Sequence, residues 1–106
     1  MNSFEIENTS AHLPRELKAV LRIFNTDDEL RRKALPHVNI QSQEIDWYSI
    51  SQNDFGGGHS GAIAWAKAIW ADQVSAGVDP FERAFAMQPR LQMAVIEALK
   101  IRWGLE

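Results

Sequence analysis

The sequence predicts an all-α fold: a compact single-domain bundle of five or six short helices around one apolar helix at about residues 61–76. Three observations lead there. Apolar residues recur every three or four positions through most of the chain, the period of a helix with one buried face. The runs are bounded by helix punctuation, with proline or a capping side chain ahead of them and glycine behind. Strand-like alternation is confined to short pieces at Phe4 to Ile6 and Val38 to Ile40, and no repeat or low-complexity tract divides the chain.

Residues 1–12 carry no sustained period and read as a loosely ordered N-terminal arm, leaving 13–106 as the helical domain. The first helix starts at Leu13-Pro14, where the N–H that proline lacks would have no partner anyway. Leu13, Leu17, Val20, Leu21 and Phe24 share one face, Arg15, Lys18 and Arg22 the other, and Asn25 ends the run. Thr26 is the expected cap of a second helix, with Glu29 completing a capping box and Pro36 as the stop. Asp27 and Asp28 suit the positive end of its dipole, and Arg31, Arg32 and Lys33 suit the negative end.

Residues 37–53 carry mixed signals. Val38 and Ile40 alternate, whereas Ile40, Glu44, Trp47 and Ser51 share a helical face. The helical surroundings favour a helix, and the β-branched and aromatic content keeps a strand open. A glycine-rich turn, Gly56-Gly57-Gly58, then leads to Ser60, the expected cap of the central helix. From Gly61 to about Ala76 that helix is apolar around nearly its whole N-terminal circumference, which predicts burial on most sides, with Gly77 as its stop. Asp79-Pro80-Phe81-Glu82 repeats the starting signals and sets Phe81 and Phe85 one turn apart, before Met87-Gln88-Pro89 breaks the helix. The last helix runs from Pro89 to Trp103 and stops at Gly104. Leu91, Val95, Ala98 and Leu99 form its stripe, extended by Ile96 and Trp103.

Composition narrows the function classes. At 106 residues there is room for one domain, and a net charge of −3 argues against nonspecific nucleic-acid or membrane binding over the whole surface. The absence of cysteine removes disulfides, thiolate metal sites and cysteine nucleophiles. The first residues are acidic rather than signal-like, and Lys67 and Asp72 interrupt the most apolar run, so the expectation is a soluble, cytoplasmic protein with no membrane partner.

Several short motifs invite a sharper reading. Gly58-His59-Ser60-Gly61-Ala62 resembles a nucleophile elbow, but that motif needs a preceding strand and a large α/β sheet. Asp54-Phe55-Gly56 matches a kinase tripeptide without any of the other kinase segments. Glycines ahead of a helix can cradle an anion. Here no lysine or arginine occurs from Ala34 to Ala66, and Glu44, Asp46 and Asp54 make the local field negative. The same span, with Trp47, Tyr48 and Phe55, would suit a basic partner or cation if exposed. His12, His37 and His59 sit at no metal-like spacing. Residues 14–35 resemble a helix-turn-helix, yet the end that would meet the bases carries Asp27, Asp28 and Glu29.

These readings leave a non-enzymatic protein–protein interaction module as the expected function, with homodimerisation as one form of it. Its grounds are four tryptophans and the lopsided charge of residues 34–66, and Trp103 is expected to extend the partner surface. The alternative is a small-molecule-binding protein or minor enzyme with its pocket at Gly56 to Ser60. The residues expected to bind ligand or partner are Trp47, Tyr48, Asp54, Gly57, Gly58, His59 and Ser60. A nucleic-acid-binding helical domain ranks third. No catalytic residue, metal ligand or cofactor is assigned.

Overall fold

A computed structural model describes residues 13–106. Its elements are α1 (Arg15–Phe24), α2 (Asp28–Lys33), a 3-10 turn (Leu35–His37), β1 (Val38–Asn39), β2 (Glu44–Ile45), α3 (Trp47–Ser51), α4 (Gly57–Ala71), α5 (Pro80–Arg83) running into a 3-10 turn (Ala84–Ala86), and α6 (Pro89–Trp103). The all-α expectation holds, with one two-stranded hairpin added. The N-terminal arm expected at 1–12 lies outside the described residues.

Three longer helices, α1, α4 and α6, pack on one another and enclose the core. Val20, Ile23 and Phe24 meet Ala62, Ala66 and Ile69 of α4 and Leu91, Val95 and Ala98 of α6, with Leu30 and Ile50 closing the end. A smaller cluster of Leu13, Leu17 and Leu21 lies under the hairpin beside Trp70. The helix buried on most of its faces is α1, with six buried residues, rather than the expected helix at 61–76.

That expected central helix is also displaced. α4 starts four residues earlier than Gly61 and ends at Ala71, where Asp72 adopts a left-handed conformation. Gly56 is its N-cap and Ser60 lies inside the helix, so the predicted serine cap is wrong. The glycines are helical because α4 must come close to the chain leading into α6. A Cβ on Gly58 would stand 3.1 Å from the Ala86 carbonyl oxygen, and one on Gly61 2.9 Å from Met87 Cγ and 3.0 Å from the Arg83 carbonyl oxygen. Glycine removes the side chain at a helix crossing; Gly77, with φ of 76°, turns the loop after α4 and stops no helix.

Other boundaries follow local chemistry. The second helix is capped by Asp27, whose carboxylate accepts the Leu30 N–H, and not by Thr26. Thr26 belongs to the end of α1, where its hydroxyl donates to the Arg22 carbonyl. Residues 37–53 contain both alternatives weighed for them. β1 and β2 pair antiparallel, Val38 opposite Ile45 and Asn39 opposite Glu44, and Asp46 then caps α3 through the Ser49 N–H. Asp79 caps α5 through the Phe81 N–H with Pro80 at the first position, and Gly104, with φ of 72°, ends α6, both as expected.

Candidate functional site

The residues expected at one glycine-turn pocket are distributed over several surroundings. Gly57 and Gly58 form the first turn of α4 and lie against Ala86 and Met87. Asp54 is exposed, and it is the backbone carbonyl of this residue that takes the Lys33 ammonium, at 2.6 Å. Tyr48 is exposed on α3, whereas Trp47 is half-buried and meets Phe24 edge to face at 6.0 Å. Phe55, also half-buried, lies under Lys33. The acidic aromatic segment is thus split between surface and core.

His59 and Ser60 are neighbours in sequence but serve different faces of α4. Ser60 Oγ accepts from Arg83 Nη1 at 3.0 Å, and Ser60 lines a groove beside Trp47. His59 reaches back to the start of α2. Its Nε2 lies 2.5 Å from Asp27 Oδ2 and its Nδ1 3.4 Å from Glu29 Oε2. Asp27 is the one buried charged residue among the described residues, and Arg90 of α6 closes on it at 3.3 Å. Lys33 lies 3.7 Å from the same Glu29 oxygen. Asp27 therefore ties the starts of α2, α4 and α6 together.

The electrostatics of this cluster are those of a structural clasp. Burial acts to raise the Asp27 pKa. The Leu30 N–H, the His59 hydrogen bond and the positive charges of His59 and Arg90 outweigh it, and the carboxyl is held below its ordinary value of 3.8. The two carboxylates also stand near the N-terminal end of α4, where negative charge is favoured. Each imidazole nitrogen faces a carboxylate, so neither is left to activate a nucleophile. His59 and Ser60 do not bond to each other, and the element leading into their helix is α3 rather than a strand, so the resemblance to a nucleophile elbow ends at the sequence. Among the described residues no group of three or more histidine, cysteine, aspartate or glutamate side chains is arranged to hold a metal ion.

The basic residues of the expected helix-turn-helix are partly engaged. Arg31 pairs with Asp28 and donates to the Asn25 carbonyl, and Lys33 is taken up as described above. α2 is only six residues long. Among the described residues, no helix is long and apolar enough to cross a membrane.

Sequence reasoning missed an apolar surface feature built from α4, α5 and α6. Phe81 and Phe85 point out from the α5 segment, and Met93, Ile96 and Trp103 from α6. Phe81 stacks edge to face on Trp65 of α4, with ring centres 4.9 Å apart. Between them opens an apolar cavity of about 380 Å³, floored by Met87, Val95 and Leu99 and flanked by Ile96. A second hollow, about 140 Å³, continues it past Trp65 and Leu99 to Val74 and Trp103. The aromatic spacing of Phe81 and Phe85 was visible in the sequence, and Trp103 was expected to extend a partner surface; that Ile96 would stand exposed near them was not, because it was assigned to the buried stripe. No protein-family model, curated protein or solved structure matches this chain.

Proposed function

We propose that this protein is a non-enzymatic interaction module that pairs with a second copy of itself through the apolar face of α4, α5 and α6. The observation that carries the reading is the continuity of that face, from Phe81 across Trp65 and Leu99 to Trp103, with the exposed Phe85 on the same segment as Phe81. Phe81, Phe85 and Trp103 are 72%, 91% and 63% exposed, and at about 200 Å² for each aromatic side chain they alone offer roughly 450 Å² of apolar surface. Met93, Ile96 and Val74 add to it. The total approaches the ~800 Å² per partner of a stable interface.

Self-association fits the shape and the charge of the face. A twofold interface must be complementary to itself. Here Phe85 projects from the α5 segment whose Phe81 and Ala84 line an apolar cavity, so each copy offers both knob and hole. The edge of the hollow carries both signs, with Asp72 and Arg102. A rim of one sign would repel a copy; a mixed rim lets unlike charges meet.

The test is light scattering of the wild type and of Ile96→Glu across a concentration series. The wild type should reach twice the chain mass by about 100 µM, and Ile96→Glu should remain at the mass of one chain. A wild type that stays monomeric throughout refutes the reading.

A further inference from the structure

A second groove, of about 230 Å³, lies on the other side of α5 from the apolar face. Trp47, Ile63 and Val78 contribute its apolar walls, and Ser60, Lys67 and Arg83 its polar groups. Among the described residues no carboxylate lines it, although the chain as a whole carries a net charge of −3. Among the described residues neither Lys67 nor Arg83 has a carboxylate within ion-pair distance. Arg83 is steadied by one hydrogen bond, to Ser60 Oγ, which leaves most of its fork of five donors uncommitted. The Trp47 indole N–H is buried and has no acceptor among the described residues.

From this lining we infer that the groove binds a small organic carboxylate with a flat apolar body. Two cations with no carboxylate partner ask for an acceptor with negative charge, and the guanidinium fork matches a carboxylate in two-pronged fashion. The indole and aliphatic walls ask for an apolar remainder. Ser60 and Lys67 are seven residues apart on one face of α4, about 10 Å along the helix. The carboxylate therefore seats at the Arg83–Ser60 end, while Lys67 lends positive potential from the far end. The volume is below the ~300 Å³ at which sites for drug-sized ligands begin, which points to a single-ring acid. This inference stands apart from self-association, since of the groove's lining only Val74 also borders the α4–α6 face.

The experiment is a titration of the full chain followed by the backbone and indole N–H resonances, with sodium benzoate as probe. Benzamide serves as its neutral counterpart and inorganic phosphate as a bare anion. Benzoate should move the Trp47 indole and Ser60 signals saturably with a Kd of about 1 mM or tighter, and benzamide should bind at least about tenfold more weakly. Arg83→Gln should weaken benzoate by a similar factor and leave benzamide unchanged. Lys67→Gln, on the exposed side of a helix, gives the same comparison with a smaller loss, should Arg83→Gln disturb folding. Equal binding of benzoate and benzamide overturns the inference, as does an equal response to phosphate or no saturable shift by about 10 mM benzoate.

Discussion

Replacing Asp27 tests whether the His59 cluster is a clasp, and the size of the loss follows from its contacts. Asp27→Ala removes the N-cap of α2, which is worth about 1 kcal/mol. It also removes the charge-assisted contact with His59, a bond of a class worth about 1.5–3 kcal/mol. Arg90 is more than half exposed, so its share is small. The sum is about 3 kcal/mol, a large fraction of the ~5–15 kcal/mol that holds a small domain together. Asp27→Asn keeps an oxygen for the Leu30 N–H and should lose only the charged part, about 2 kcal/mol. Urea denaturation reads both: with a slope of about 1–3 kcal/mol/M, Asp27→Ala should lower the midpoint by one molar or more. A loss below about 0.5 kcal/mol for Asp27→Ala would refute the clasp, because a dispensable buried carboxylate is the pattern of a functional group rather than a structural one.

Other outcomes follow from the same geometry. The folded-state pKa of Asp27 is depressed, so its contribution is complete above the unfolded value of about 3.8 and is lost as pH falls through the lower folded value. The stability gap between wild type and Asp27→Asn should therefore close on acidification below about pH 4, and a gap that widens there contradicts the assignment. Gly61→Ala should destabilise by about 1–3 kcal/mol in a melting experiment, despite alanine's better helix propensity, because its Cβ would meet Met87 and the Arg83 carbonyl. Gly57→Ala meets only Ala86, at 3.7 Å, and should be neutral or stabilising by up to about 1 kcal/mol. Asp79→Ala should cost about 1 kcal/mol through the lost cap of α5, measured by denaturant midpoint.

The parts of the fold legible in the sequence are those fixed by neighbours along the chain. Pro89 and Gly104 bound α6 because proline starts a helix and glycine takes the left-handed residue after it, whatever packs nearby. The Asp79-Pro80 start of α5 is local in the same sense. The start of α4 was misread because Gly57, Gly58 and Gly61 answer to Ala86, Met87 and Arg83, about 25 residues away. Nothing local distinguishes a glycine that bends the chain from one that lets two segments touch. The hairpin was half legible: Val38 showed its alternation, but strands of two residues carry too little pattern to outweigh helical surroundings. Of the expected site residues, Ser60 and Trp47 do share a groove, whereas His59 turns to a partner 32 positions earlier. Pairing over that separation leaves no trace in spacing. Thr26 and Asp27 are both good caps, and the choice between them was set by the end of α1, whose last carbonyls claim Thr26.

The central claim, self-association through the α4–α5–α6 face, is tested most directly by contacts between copies. Isotope-labelled and unlabelled chains are mixed, and only magnetisation transfer between different molecules is recorded. Cross-peaks are expected from the Phe85 ring to Ile96, Val95 and Leu99 of the other copy, since these line the cavity that the ring would fill. Cross-peaks arising elsewhere on the surface, with Phe85 silent, would contradict it.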